Sequence, residues 1–134
     1  MPYPDERTEA AIKRLRRMVG SLRVESPIEA KIYPALVLFW ERQGCYVRAQ
    51  YKLGHFRYDF AIFDPSGRLL ALVECDGKAF HSSRRQRKRD RKKNQIAREL
   101  GRPLFRFTGS QINEDAPGCV QSMGRWNGYW GGGL

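Results

Sequence analysis

The spacing of apolar positions switches between helical and alternating along the chain, and each switch marks an element. Residues 8–19 place Ile12, Leu15 and Val19 on one side of a short amphipathic helix, with Gly20-Ser21 as its stop. Ser26-Pro27-Ile28-Glu29 opens a second helix, with a serine N-cap, a proline in the first turn and a glutamate at the capping-box position. Ile28, Ile32, Ala35, Leu36, Phe39 and Trp40 then recur at helical spacing until Gly44. Strand-like segments follow at 45–52 and 55–63, and again at 68–75. The last two flank Asp64-Pro65-Ser66-Gly67, which suits a type I turn and predicts a hairpin. A long polar helix over 83–100 stops at Gly101. Residues 103–107 predict a fourth strand, reached by a parallel crossover from that helix. Gly109–Asp115 predicts a short helix bearing Ile112, and Gly124–Leu134 is rich in glycine, with Trp126, Tyr129 and Trp130. The order predicts an α/β fold: a mixed β-sheet of about four strands flanked by helices.

Composition narrows the function. A chain of 134 residues has room for one core. No apolar run reaches membrane-spanning length, and the first residues lack the apolar segment of a secretory signal, so a cytoplasmic location is expected. Cys45, Cys75 and Cys119 are widely separated and form no CxxC pair, which points away from a zinc ribbon or a disulfide framework. The formal charge of +11 is concentrated in Arg84–Lys93, where eight cations accompany one acid, Asp90. Eight cations leave no pairing to support an isolated helix, so a polyanionic partner is expected. Nucleic acid is the leading partner. The run carries no apolar stripe, so a membrane surface fits poorly. The phosphate-gripping residues are then Arg84, Arg85, Arg87, Lys88, Arg89, Arg91, Lys92 and Lys93, with Asp90 read as relief of repulsion.

The richest chemistry lies where the apolar run ending at Val73 gives way to Glu74-Cys75-Asp76-Gly77-Lys78, with His81 beyond. Asp59 closes a neighbouring strand-like stretch, and acids on otherwise apolar strands are costly without a cation. Asp59 lies five residues before the hairpin turn and Glu74 seven after it, so convergence requires a twist, a bulge or a diagonal pairing. Two carboxylates suit a hard divalent ion. Alternation puts Asp76 on the Glu74 face and Cys75 on the opposite one. Asp76 is read either as a third ligand or as a turn residue. Lys78 and His81 are the available charge-stabilising and proton-transfer groups, and His55 is a weaker candidate. The capping box gives Glu29 a sufficient structural reason to exist.

Asp59, Glu74-Cys75-Asp76-Gly77, His81, Asp90, Gly101 and Arg106-Phe107 together resemble the very-short-patch-repair-endonuclease-like branch of the PD-(D/E)XK nuclease superfamily, over roughly residues 24–120. The resemblance implies a restriction-endonuclease-like core and a metal-dependent endonuclease that hydrolyses DNA with Mg²⁺ or Mn²⁺. It makes residues 24–120 the nuclease domain and leaves outside it an N-terminal helical extension (1–23) and a Gly/aromatic tail (121–134). It implies metal binding by Asp59, Glu74 and a backbone carbonyl near Cys75. It also implies a functional role for the helix-borne Glu29, beside Asp76, Lys78 and His81 as further catalytic candidates. One departure stands out: the superfamily motif places lysine two residues after the glutamate, where this chain has Asp76, and Lys78 is the nearest substitute amine. The alternatives are a catalytically inactive DNA-binding module of the same fold and an RNA-directed nuclease. A homodimer or a larger nucleoprotein assembly is the expected quaternary context.

Overall fold

The structure is a computed structural model describing residues 26–76 and 83–125, together with Glu6, Arg7 and Ala10. All but Ala10 of the helix expected over 8–19, most of the aromatic tail, and Lys78 and His81 lie outside the described residues. Among the described residues from 26 onward, three helices and four strands follow in the order α1 (Pro27–Glu41), β1 (Tyr46–Leu53), β2 (Phe56–Phe63), β3 (Leu69–Asp76), α2 (Arg84–Glu99), β4 (Leu104–Thr108) and α3 (Gly109–Met123). The sheet order is β1-β2-β3-β4, antiparallel except for the β3–β4 pair, which α2 connects in parallel. This is the mixed α/β sheet that the hydrophobic pattern predicts.

Local chemistry sets the boundaries. Ser26 caps α1 by accepting from the Glu29 amide, and Gly44, at φ +84°, reverses the chain after the helix. The β1–β2 loop is two residues, with Gly54 (φ +64°) in the first position, where a type II′ turn takes glycine. In the β2–β3 turn the Asp64 carboxylate accepts from the amides of Ser66 and Arg68 and from the Ser66 hydroxyl.

The final helix is longer than expected. The sequence predicts a short helix that ends at Asp115. Instead, the backbone kinks at Asp115 (φ −158°, ψ 80°), and its carboxylate caps a new turn by accepting from the Gly118 amide. Pro117 thus falls in a first turn, where its missing N–H costs nothing, and the helix runs on to Met123.

The sheet separates two apolar layers of unequal size. The larger packs Ile32, Leu36 and Trp40 of α1 and Ile112, Val120 and Met123 of α3 against Val47, Phe60, Ile62, Val73 and Phe107. The smaller, under α2, is built on Tyr58, Ala61, Leu72 and Ala97. Along β1, Val47 and Ala49 belong to the first layer but Tyr51 and Leu53 to the second. Along β2, Phe60 and Ile62 belong to the first layer and Tyr58 and Phe56 to the second. Residues two apart in a regular strand share a face, so the β1–β2 ribbon turns over between these pairs. The turnover falls at Gln50 and Asp59.

Candidate active site

Asp59 and Glu74 meet because of a bulge. Strand β2 pairs with β3 in one register from Phe60↔Val73 to Ile62↔Ala71, then shifts at Phe63. That shift absorbs the unequal distances from the turn, and one step beyond Phe60↔Val73 puts Asp59 across from Glu74. The Cys75 amide donates to Asp59 Oδ2 at 2.7 Å, holding that carboxylate toward β3. Cys75 packs against the larger core while Glu74 and Asp76 take the α2 side, as alternation requires.

Glu74 is 7% exposed. Burial raises its carboxyl to about 8, the Asp59 carboxylate adds to the rise, and hydrogen bonding and charge from Lys93 oppose it. The two acids are close enough for the Asp59 charge to act on Glu74. Two carboxylates tolerate such an approach only with a proton or a cation between them. Burial first, and then the charges of Asp59, Glu29, Glu74 and Asp76, push the Cys75 thiol up.

The cation found there is Lys93. Its Nζ donates to Glu74 Oε1 at 2.6 Å and to the Arg57 carbonyl at 2.8 Å, and it lies 5.3 Å from the centre of the Tyr58 ring. Lys93 is 8% exposed, whereas Arg84, Arg85, Arg87, Lys88, Arg89, Arg91 and Lys92 are all exposed on α2. The sequence places Lys93 among phosphate-gripping cations; the structure sets it apart from them. A signal existed in the pattern of α2. Asp90, Lys93 and Ala97 fall at i, i+3 and i+7, the stripe that turns inward.

Asp76 shares the Glu74 face but has its own partner. Arg106 Nη1 lies 3.8 Å from Asp76 Oδ1 and 3.6 Å from Asp90 Oδ1, and Nη2 donates to the Asp90 carbonyl and to Asn94 Oδ1. Asp90 is thus a link between α2 and β4 rather than a mere relief of charge. Tyr58 adds another link, its hydroxyl donating to the Lys93 carbonyl at 3.0 Å. Helix α2 buries only Lys93 and Ala97, so these polar contacts carry much of its attachment.

Glu29 approaches from the α1 layer. Its Oε1 accepts from Gln50 Nε2 at 2.6 Å and its Oε2 from the Ser26 hydroxyl at 3.0 Å. The capping arrangement is therefore present together with a contact to the ribbon beside Asp59. Sequence reasoning passed over Gln50, which looks like any polar strand residue.

Asp59 and Lys93 open into a cleft of about 580 Å³, lined also by Gln50, Lys52, His55, Phe56, Arg57 and Arg89. A second hollow on the β4 side of α2 is lined by Arg98, Arg102 and Arg106 with Asn94. Helix α2 is a cationic ridge between them. Among the described residues, no three His, Cys, Asp or Glu side chains form a metal cage. The opposed pair Asp59–Glu74 fits instead an ion such as Mg²⁺, which takes one or two carboxylates and completes its shell with water and phosphate.

The sequence model of the restriction-endonuclease-like family REase_MTES_1575 matches residues 30–125, a span that holds Asp59, Glu74, Asp76 and all of α2. No curated protein and no solved structure matches the chain. The chain belongs to the REase_MTES_1575 family, and the restriction-endonuclease-like fold is that of nucleases acting on nucleic acid.

Proposed function

We propose that this member of a restriction-endonuclease-like family is a Mg²⁺- or Mn²⁺-dependent endonuclease that hydrolyses phosphodiester bonds in DNA, and that it lies near the very-short-patch-repair-endonuclease-like branch. The observation that carries the reading is the pair of opposed carboxylates, Asp59 and Glu74, beside a buried lysine at the mouth of a cationic cleft. Asp59, Glu74 and a backbone carbonyl near Cys75 are the residues that would hold the ion. When bound, a divalent cation supplies Lewis-acid polarisation of the scissile phosphate and a more acidic water.

The chain's own residues do the rest. Lys93, fixed by three partners, presents a preorganised positive charge where negative charge grows on the phosphate, and preorganised charge is the efficient kind. It takes the place of the motif lysine that Asp76 has displaced, and it comes from a helix instead of from β3. Asp76 acts through Arg106, which ties α2, and therefore Lys93, to the sheet. Lys52, Arg57 and Arg89 along the cleft, with the exposed cations of α2, hold the nucleic-acid backbone without reading sequence.

Supercoiled plasmid incubated with Mg²⁺ tests the reading: wild type nicks it and Glu74→Ala does not. Equal nicking by the two proteins defeats the assignment. A second reading draws on the same lysine, since an ammonium on Glu74 also suits a DNA-binding module that has lost its metal. That module would bind DNA equally well after Asp59→Ala and would ignore added Mg²⁺.

A further inference from the structure

Gln50 has a backbone conformation that its residue type resists. Its φ is +52°, and among the described residues every other positive φ belongs to glycine: Gly44, Gly54, Gly67 and Gly101. A side chain in this region is strained, and the strain persists only where the surroundings over-determine it. Gln50 also drops out of the ladder. Strand β1 pairs Ala49↔Phe60 and Tyr51↔Tyr58, leaving Gln50 unpaired opposite Asp59, where the ribbon turns over.

If turning the ribbon were the whole purpose, glycine would do it without strain, as it does at the four other positions. The side chain must therefore contribute something glycine lacks. The structure shows its contact: Nε2 lies 2.6 Å from Oε1 of Glu29, a carboxylate 5% exposed, whose other oxygen accepts from Ser26. Gln50 also lines the cleft with Asp59 and Lys93. It thus joins a buried acid on α1 to the point on the ribbon where Asp59 stands.

We infer that Gln50 is a positioning residue, held in a left-handed conformation so that its amide fixes the Glu29 carboxylate beside the Asp59–Glu74 pair. The inference rests on the reading of that pair as the active site. It separates Glu29's two tasks: the Ser26 contact starts the helix, and the Gln50 contact orients the acid toward the site. Gln50 acts only through Glu29.

The test is a cycle of Gln50→Gly, Glu29→Leu and the double variant, with two readouts. The first is the urea midpoint of the metal-free protein. Gln50→Gly lowers the midpoint when Glu29 is present, because a hydrogen bond to a buried carboxylate is lost. In the Glu29→Leu background it raises the midpoint, because only strain is removed. The second readout is the single-turnover cleavage rate at saturating Mg²⁺, with Glu29→Gln as the background because it keeps the shape of the residue. Here Gln50→Gly slows wild type by about tenfold or more with KM for DNA unchanged, and slows Glu29→Gln by less than about twofold. Should leucine at 29 prevent folding, Glu29→Ala serves for the midpoints instead, because it too leaves Gln50 no acceptor at that position. Equal effects of Gln50→Gly in both backgrounds, on midpoint or on rate, overturn the inference. A wild-type protein that cleaves nothing defeats the nuclease reading, and the metal-free midpoints still decide whether Gln50 and Glu29 act as a unit.

Discussion

Replacing Lys93 by methionine removes the cation on Glu74 while keeping most of the volume. The pair's side chains are 11% and 9% exposed at an N–O distance of 2.6 Å, so solvent screening is weak. At an effective dielectric near 20, Coulomb's law gives an attraction of about 6 kcal/mol at that separation, against about 1.6 kcal/mol in bulk water. Desolvation offsets much of this in either single variant. A double-mutant cycle with Glu74→Gln cancels the desolvation and leaves the pair's own coupling, expected at roughly 2–5 kcal/mol. An exposed ion pair gives at most about 1 kcal/mol. The singles are also unequal. Lys93→Met leaves Glu74 facing Asp59 unaided, whereas Glu74→Gln relieves that repulsion, so the lysine variant is the less stable.

The cycle is measured by urea denaturation of metal-free protein at about pH 9, above the Glu74 value of about 8, so that the wild-type carboxylate is ionised; without Lys93 that value rises further, and proton uptake by Glu74 limits the loss in Lys93→Met. A coupling below about 1 kcal/mol, or one abolished by about 1 M salt, would put the pair in solvent and remove Lys93 from the site. The wild type carries a related signature. Because burial and Asp59 raise the folded-state value of Glu74, the native state keeps a proton that the unfolded chain has lost. The group's contribution is full below the unfolded value and is lost as pH rises through about 8. Glu74→Gln should flatten that decline.

Further outcomes follow from the same contacts. Arg106→Met unties Asp76, Asp90 and Asn94 and should cost about 2 kcal/mol in urea denaturation, with a fall in nicking rate though no proposed metal ligand is touched; an unchanged midpoint would show that α2 is held otherwise. Arg98→Ala/Arg102→Ala should weaken DNA binding and reduce the slope of log K against log salt by about 2, whereas a slope unchanged from wild type would exclude the second hollow from the interface. The Asp64 carboxyl is held below its ordinary value by the Ser66 hydroxyl first and the Arg68 amide next. Its stabilisation is therefore present above the unfolded value and lost as pH falls through the folded one. Asp64→Ala should destabilise the hairpin near neutrality and make little difference in strong acid. The first turn of α2 holds cations and no acid, against the helix dipole. Amide exchange over residues 85–92 should therefore slow as NaCl rises from about 0.05 to about 0.5 M, and faster exchange would contradict the account.

Much of the fold could be read from the chain because its elements obey local rules. The Ser26 cap and the Asp64–Gly67 turn announce themselves, and the turn lies within a few residues of both acids. The acids themselves were legible because carboxylates interrupt apolar strands only for a reason. The kinked α3 was not legible, since Pro117 looks the same whether it ends one helix or sits in the first turn of the next. What distinguishes the cases is whether Asp115 finds the Gly118 amide. Lys93 was hidden differently. In a run of eight cations each looks alike, and burial chooses one of them.

Gln50 marks where pattern reading runs out, and the reason is physical. Val47, Ala49 and Tyr51 alternate as in an ordinary strand, as do Tyr58, Phe60 and Ile62. Nothing in either series records that one half of the ribbon faces α1 and α3 while the other faces α2. The turnover has a consequence for the proposed active site. It lets the ribbon leave the main core without exposing its apolar side, because Tyr51, Leu53, Phe56 and Tyr58 find the second layer. It also brings Asp59 to the line where the two layers meet, opposite Gln50, which contacts Glu29 of α1, and into the cleft that Lys93 of α2 lines. A flat ribbon would have kept Glu29 and Lys93 on opposite faces of the sheet. The turnover at residue 50 thus lets two helices on opposite faces approach one line of the sheet, where the proposed site lies. A substitution there should change the site's chemistry before it changes the fold.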